Sequence, residues 1–543
     1  MNGYSENQPK LIESAERPGH ADLKFFERYD SGGTLRRSAD EFQNIDYAMC
    51  LDEWPDFMSR YPGGRGTPLV KRFDAAADLA AATVADQIRD AGRTARWWEV
   101  KNESTIKAEW DYHWTKDLDG WSLLADFHNR VADRIHASAP EVQVGGPTSA
   151  WMQVQVNDFG LYKDQRTFMD RTRDHLDFYS HHFYEDFGTL GAWERRGDGY
   201  KAYLLGRFEP ILDMFHAHMS GTDNVKPMLI TECGSLQPGR GPSDEWLRLR
   251  SFSAYLTKAM QRPDQLDLIV PFVFLNIHWA PKSGGAAFEL VDIADGEAPE
   301  VPGEPIAGYQ RRMVLRFFDL WRDFNGRRLA CDIDHDFVDV VAVHQDETVQ
   351  FAVTNLGGDR LSLDFDAFWD AANVRSATQR RLHYLDGELH YEDAVPRRRG
   401  AKIPVSAEET TVITFELAQP LNIESTESLG RHYAATTAVM SVEQGVEPFV
   451  VRVPDAAEPR SVHNAKLVLG VHRDGGLSDP PVASVNGYSV SIEQPWLSEF
   501  QHLFAPIRVP IDPAWIQEVN EVTAEPVEGM TITSVQIEVN RRE

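Results

Sequence analysis

The chain has 543 residues, which is about three to four times the length of a typical domain, so two or three domains are expected. With 42% hydrophobic and 11% aromatic residues it can form large buried cores, which excludes global disorder. Its 55 Lys and Arg residues against 84 Asp and Glu residues give a net charge of −29. Such an acidic surface repels phosphate backbones and anionic lipid, so neither nucleic acid nor a membrane surface is an expected partner.

The sequence contains little that indicates disulfide bonds, a membrane span or export. The three cysteines are far apart and odd in number, which predicts neither a disulfide framework nor a thiolate metal cluster. No stretch approaches the roughly 18 uncharged apolar residues of a membrane-spanning helix. The first ten residues are polar, so no secretory signal is expected within this chain, and the localisation is left open. A cytoplasmic protein, or an exported one whose leader lies outside this sequence, fits equally.

The N-terminal part alternates between helix-period segments and short apolar strands. In chain order the pattern predicts a strand over 45–51, a helix over 74–91, a strand over 96–100, a helix over 119–137, strands over 142–144 and 176–182, a helix over 200–219, a strand over 228–231, a helix over 244–261, a strand over 268–275 and a helix over 311–324. Apolar strands separated by amphipathic helices are typical of a parallel sheet buried on both faces. This favours a (β/α)₈ TIM barrel whose first two strands have no clear pattern. An open doubly wound sheet is the alternative, weakened because no Gly-rich phosphate loop opens any of these helices.

The C-terminal part has strand periodicity instead. Runs typical of strands cover 337–344, 348–355, 410–417, 449–453, 465–471 and 530–539. Asp386-Gly387 and Asn486-Gly487 are two-residue hairpin signals. We therefore predict a catalytic barrel over 1–328 followed by all-β sandwich domains over 329–420 and 421–543.

Two glutamates end apolar strands of the predicted barrel. Glu103 and Glu232 lie 129 residues apart, which at roughly 40 residues per βα unit places them after strands four and seven. The carboxyl ends of barrel strands form the active-site face. Two carboxylates there suit acetal cleavage, in which one protonates the leaving oxygen and the other attacks the anomeric carbon or activates water. The pattern therefore predicts a glycoside hydrolase.

Five consecutive predicted strands each end in a short motif. In chain order these are Asn102-Glu103, Gly146-Pro147, His182-Phe183-Tyr184, Glu232 and Trp279. The constellation resembles the large clan of retaining (β/α)₈ glycosidases. Within that clan, Trp98-Glu99-Val100 before Asn102-Glu103, the segment 230–235 and two trailing β-sandwiches most resemble glycoside hydrolase family 86, which contains β-agarases and β-porphyranases.

The resemblance implies retaining endo-cleavage of a β-linked red-algal galactan by double displacement, without a cofactor. It implies that Glu103 is the acid/base and Glu232 the nucleophile. Asn102, next to the acid, can hydrogen-bond a sugar 2-hydroxyl, and Tyr184 can orient Glu232. The expected partner is a polysaccharide or oligosaccharide substrate.

Aromatic and imidazole side chains near the predicted catalytic face are candidates for sugar contacts. Sugar C–H faces stack on aromatic rings, and sugar hydroxyls need polar partners. The candidate substrate-binding residues are Asn102, His113, Trp114, Trp151, His181, His182, Tyr184 and Trp279. Trp97, Trp110 and Tyr112 are also expected near the cleft.

No metal site is predicted. Successive strand side chains point to opposite faces, so His181 and His182 cannot both bind one ion from a regular strand.

Two other functions stay open at this point. A carbohydrate-binding protein with a decayed barrel would need no catalytic pair, and a retaining glycosidase of the same clan could act on another β-glycan. Carboxyl groups about 5 to 5.5 Å apart would favour a retaining enzyme over the binding protein.

Overall fold

The structure is a computed structural model that describes residues 11–26, 45–51, 54–61, 66–150, 152–185, 203–235, 239–274, 288–293, 309–423, 426–434, 440–441, 448–456, 462–475, 477, 479–494 and 502–542. The chain divides into two compact units. The first takes its residues from 1–183, 222–232 and 264–270, and the second from 184–221, 233–263 and 271–543. The domain boundaries expected after residues 328 and 420 stay predictions.

A curled parallel sheet forms the centre of the first unit, and its six strands lie side by side in sequence order. The strands are β1 (Ala48–Cys50), β2 (Trp97–Glu99), β3 (Gln143–Ser149), β4 (Phe178–Tyr184), β5 (Met228–Gly234) and β6 (Leu266–Pro271). They correspond to predicted strands three to eight, and the predicted fold class of a barrel-type sheet followed by antiparallel β regions is confirmed. The first two predicted strands, which have no clear pattern, would precede β1, and residues 1–10 and 27–44 of that segment lie outside the described residues.

Three helices of the first unit connect these strands. They are α1 (Phe73–Ala91), α2 (Gly120–Ser138) and α3 (Val156–Thr172). The first two confirm their predictions, and α2 begins after Asp119, whose side chain accepts a hydrogen bond from the Ser122 backbone N–H at 3.0 Å. Helix α3 was not predicted because its buried face includes the polar residues Gln165 and Thr172, which interrupt the apolar spacing.

Helices of the second unit cover an antiparallel sheet. The elements of this region are α4 (Tyr203–Gly221), α5 (Pro242–Met260), β7 (Val291–Ile293), β8 (Tyr309–Arg311), α6 (Arg316–Trp321), β9 (Arg327–Leu329), β10 (Val338–Gln345), β11 (Thr348–Asn355), β12 (Leu361–Leu363), α7 (Asp366–Ala371), β13 (Val374–Leu385), β14 (Glu388–Arg397), β15 (Ile403–Val405) and β16 (Thr410–Leu417). The strand order in the sheet is β14-β13-β16-β11-β10-β9. Phe252 of α5 and Phe317 of α6 pack with Val412 on one face of the sheet. The other face, around Phe415, is covered by α7 and the β12–β15 pair. None of the described helices is long and apolar enough to cross a bilayer.

The C-terminal region is a sandwich of two antiparallel sheets. Its strands are β17 (Glu427–Tyr433), β18 (Met440–Ser441), β19 (Phe449–Arg452), β20 (Val462–Asp474), β21 (Val482–Val485), β22 (Tyr488–Val490), β23 (His502–Ile511), β24 (Val519–Glu525) and β25 (Met530–Arg542). One sheet has the order β17-β25-β20-β23, with β18 beside β25, and the other has the order β19-β24-β21-β22. Both predicted hairpins are present, at Asp386-Gly387 and Asn486-Gly487. All four turn residues have positive φ, as a type I′ turn requires.

Buried charges join α4 and α5 to both antiparallel regions of the second unit. Lys258 of α5 donates to Glu209 of α4 at 2.8 Å and lies 3.0 Å from Asp339 of β10. Tyr433 of β17 donates to Asp213 of α4 at 2.9 Å. Removing one member would leave a buried charge without compensation, so this cluster fixes both regions to the same two helices.

The parallel sheet packs closely against α2 at Gly146 of β3, and a substitution there can test this packing. A Cβ atom there would lie 2.4 Å from Nε2 of the fully buried His128. We expect Gly146→Ala to lower the free energy of unfolding by about 1–3 kcal/mol through overpacking, seen as a lower Tm in calorimetry. Gly160→Ala in α3 is the control, because its Cβ would make only an ordinary 3.5 Å contact with Asn157 and alanine favours the helix. A wild-type Tm for Gly146→Ala would contradict this packing.

Candidate active site

Side chains on the inner face of the curled sheet form successive layers. Phe178 of β4 packs with Trp97 of β2 and Leu229 of β5 in a small apolar cluster. Alternate residues of a strand share a face, so His182, four residues after Phe178, points to the same side. The apolar layer therefore supports a polar layer nearer the carboxyl ends of the strands.

His182 lies between the two predicted carboxylates. Its Nδ1 atom is 3.3 Å from Oε1 of Glu103 and 3.3 Å from Oε2 of Glu232. One donor atom of each of the three residues lies within 4.8 Å of the other two. The glutamate side chains are 21% and 24% exposed, whereas that of His182 is 1% exposed. Two residues 129 positions apart in sequence thus meet at one open surface above a buried imidazole.

The charge of His182 is set by its surroundings. Burial opposes protonation, but the charge of Glu232, the hydrogen bond and charge of Glu103 and the charge of Glu99 together raise its pKa to about 9. His182 is therefore an imidazolium at neutral pH. Its positive charge stabilises a negative charge on either neighbouring glutamate.

Glu99 is a third carboxylate of the inner face, and the sequence predictions gave it no role. It is buried in β2, and its Oε1 atom accepts a hydrogen bond of 2.8 Å from Oγ1 of Thr231 in β5. A glutamate inside an apolar strand is the signal that could have identified it, because a buried charge needs a partner. The side chains of the consecutive residues Thr231 and Glu232 both contact residues of the inner face. The end of β5 therefore departs from the usual alternation of side chains between the two faces of a strand.

The segment that carries Glu103 is held from both sides. Glu103 itself has φ +40°, a left-handed conformation that is uncommon for a residue with a side chain. Lys101 donates to Glu109 at 2.7 Å in a buried ion pair. Ser104 donates to the backbone oxygen of Pro147 at 2.6 Å. These contacts fix the backbone on which the Glu103 carboxylate is mounted.

Three other predicted residues lie beside Glu103 or His182 in the sequence. Asn102 is half-buried and immediately precedes Glu103. Tyr184, at the end of β4, is buried, and its ring packs edge-on against Phe272. His181 is completely buried, which lowers its pKa to about 3, so it offers no surface for substrate contact. Its neighbour His182 occupies the inner face instead.

The predicted aromatic and imidazole contacts in the loop after β2 divide into exposed and buried residues. Trp114 is 51% exposed. His113 is half-buried against Trp121, with ring centroids 4.6 Å apart, and burial lowers its pKa to about 4. Trp151 and Trp279 lie outside the described residues.

Trp97, Trp110 and Tyr112 were expected near the cleft and are buried instead. Trp97 belongs to the inner apolar cluster of the sheet. Trp110 stacks on Phe127 of α2 with ring centroids 5.6 Å apart, because the loop folds back onto that helix. Their sequence positions beside a strand end did not distinguish core packing from an open cleft.

Glu103, His182 and Glu232 are also the one group of three or more His, Cys, Asp or Glu residues in the described part of the chain whose donor atoms come close enough to share a cation. A protonated imidazole has no lone pair to donate. At neutral pH the carboxylates therefore have a compensating charge from His182 itself, and the absence of a metal stays a prediction.

The protonation of His182 can be measured by NMR of the imidazole nitrogens, with His182→Asn identifying the signal. We expect titration near pH 9 in the wild type and a lower pKa in Glu103→Gln and Glu232→Gln, because each removes a negative charge. Since the folded pKa exceeds the ordinary value of 6.5, the stabilisation from this proton is complete below about pH 6.5 and is lost as the pH rises through about 9. A wild-type pKa at or below 6.5 would contradict the charge assignment.

No family model matches the chain. By sequence it is similar to a funoran endo-β-hydrolase of Wenyingzhuangia aestuarii, with 25% identity over 464 residues that cover 82% of this chain and 60% of the relative. It is also similar to the β-agarase AgaO of Microbulbifer thermotolerans, with 24% identity over 325 residues that cover 56% of this chain and 26% of the relative. The chain thus spans less than two thirds of the length of these relatives.

Solved structures share its fold. Wild-type BuGH86 in complex with neoagarooctaose has a TM-score of 0.80 and 20% identity, covering 98% of this chain and 88% of that chain. BpGH86A, a β-porphyranase of glycoside hydrolase family 86 from Bacteroides plebeius, has a TM-score of 0.72 and 18% identity, covering 92% of this chain and 86% of that chain. The predicted resemblance to family 86 β-agarases and β-porphyranases is therefore confirmed.

Proposed function

We propose that this chain is a retaining endo-β-galactanase that cleaves a red-algal galactan of the agarose, porphyran or funoran type. The observation that carries the proposal is the close approach of Glu103 and Glu232, since one carboxylate oxygen of each lies within 4.8 Å of the other. Retaining glycosidases hold their carboxyl groups about 5–5.5 Å apart, whereas inverting enzymes leave about 6.5–9.5 Å for a water molecule. The names of the relatives support the substrate class.

In the first step, the Glu232 carboxylate attacks the anomeric carbon while the glycosidic C–O bond breaks. Glu103 gives its proton to the leaving oxygen, and a glycosyl ester forms on Glu232. In the second step Glu103 takes a proton from water, whose oxygen attacks the anomeric carbon and releases Glu232. No cofactor enters either step.

His182 balances charge in both steps. The negative charge is on Glu232 in the free enzyme and on Glu103 in the ester intermediate. Because Nδ1 lies 3.3 Å from both carboxylates, its N–H can donate to whichever one is ionised. The buried cation thus stays in place while the negative charge changes position, which limits the reorganisation needed in each step.

Glu103→Ala and Glu232→Ala are the variants that test the two roles, with an aryl β-glycoside of an agaro-oligosaccharide as substrate. We expect each to lower kcat by several orders of magnitude with retained oligosaccharide binding. Azide should rescue Glu232→Ala to the α-glycosyl azide and Glu103→Ala to the β-glycosyl azide, because it replaces the nucleophile in one variant and water in the other.

Glu141→Ala, which removes an exposed carboxylate of the same unit, is the control and should have wild-type kcat. Near wild-type activity in either active-site variant would refute the proposed roles. Binding of galactan without cleavage by the wild type would favour the carbohydrate-binding alternative.

Trp114 is proposed as a sugar platform, because its exposed indole lies in the loop that follows β2 and carries Glu103. Loss of one stacking contact, about 0.5–1.5 kcal/mol, should raise KM by about two- to tenfold in Trp114→Ala with kcat little changed. Tyr488→Ala is the matched control, since that ring is equally exposed, at 51%, in the C-terminal sandwich. An unchanged KM for Trp114→Ala would remove this residue from the site.

A further inference from the structure

We propose that Thr231 and Glu99 are positioning residues whose hydrogen bond sets the separation of the Glu103 and Glu232 carboxylates; this rests on the proposed function. Glu99 is 4% exposed, so it has almost no surface to offer a sugar. Any effect on the reaction must pass through its neighbours.

The bond between Thr231 and Glu99 crosses the inside of the curled sheet. Their strands β2 and β5 are not neighbours, because β3 and β4 lie between them in the sheet order. Backbone hydrogen bonds therefore do not link the two strands directly. The 2.8 Å contact from Oγ1 of Thr231 to Oε1 of Glu99 joins them through side chains.

The position of this bond couples it to both carboxylates. Thr231 immediately precedes Glu232, and Glu99 lies four residues before Glu103. Two residues earlier on each strand, Trp97 and Leu229 pack together in the apolar cluster. The hydrogen bond thus lies between the apolar cluster and the two carboxylates. A change in its length would shift the ends of both strands.

Glu99 also contributes charge to the site. The charged groups that face His182 are Glu99 and Glu103 from β2 and the segment after it, and Glu232 from β5. Charge and hydrogen bonding can be separated, because Glu99→Gln keeps an oxygen that accepts from Thr231 but removes the charge, whereas Glu99→Leu removes both.

The test compares variants that break the bond with variants that keep it, using the purified 543-residue chain and galactan oligosaccharide. Thr231→Val and Glu99→Leu should lower kcat by about 10- to 100-fold with KM within a factor of two, the effect of misplacing reacting groups by about 1 Å. Thr231→Ser and Glu99→Gln should keep kcat within about threefold of wild type. Thr83→Val, which removes a buried hydroxyl that donates to Leu79 within α1, is the matched control and should be fully active.

A folded Thr231→Val or Glu99→Leu variant with wild-type kcat would overturn the proposal, and if one of them does not fold, the other decides. A loss of kcat in Thr231→Ser equal to that in Thr231→Val would also overturn it. These results are distinct from failure of the proposed function, since active Glu103→Ala or Glu232→Ala would reject the catalytic pair whatever the Thr231 variants do.

Discussion

Two catalytic carboxyl groups that carry a negative charge in turn need a positive charge within reach of both. His182 supplies that charge, since its Nδ1 atom is 3.3 Å from both Glu103 and Glu232 and the residue is buried. Burial alone would favour a neutral imidazole, so the charged form of His182 depends on the surrounding carboxylates. The juxtaposition of this cation with Glu103 and Glu232 is the feature on which the proposed chemistry depends.

The parallel sheet supplies the geometry. Glu103, His182 and Glu232 come from β2, β4 and β5 or the residues just after them, at the ends where a barrel-type sheet presents its functional groups. The apolar cluster around Phe178 fixes the strands below this level. In the second unit, buried polar contacts of Lys258 and Asp213 link α4 and α5 to both antiparallel regions.

Sequence reasoning succeeded where a local pattern has a single structural meaning. Apolar spacing predicted α1 and α2, and positive-φ turn residues predicted the hairpin at Asn486-Gly487. The motifs at strand ends also pointed to Glu103 and Glu232, which the structure brings together beside His182, while their catalytic roles stay a proposal. The local pattern alone was insufficient for Trp110, which packs on α2 instead of lining a cleft, because a loop's return path is a tertiary property.

The same limit explains why the Thr231–Glu99 bond was missed. Its residues are 132 positions apart, and they meet only because the sheet curls and β5 departs from alternation at its end. Helix α3 was missed for a different reason, since buried Gln165 masks its apolar face.

The stereochemistry of the first product tests the central account most directly. Proton NMR of the anomeric signals should be recorded within seconds of adding the enzyme to soluble oligosaccharides of agarose, porphyran and funoran. If Glu103 and Glu232 act by double displacement around a charged His182, the new reducing end of the cleaved substrate appears first as the β-anomer and later mutarotates. Initial appearance of the α-anomer, or cleavage of none of the three, would contradict the account.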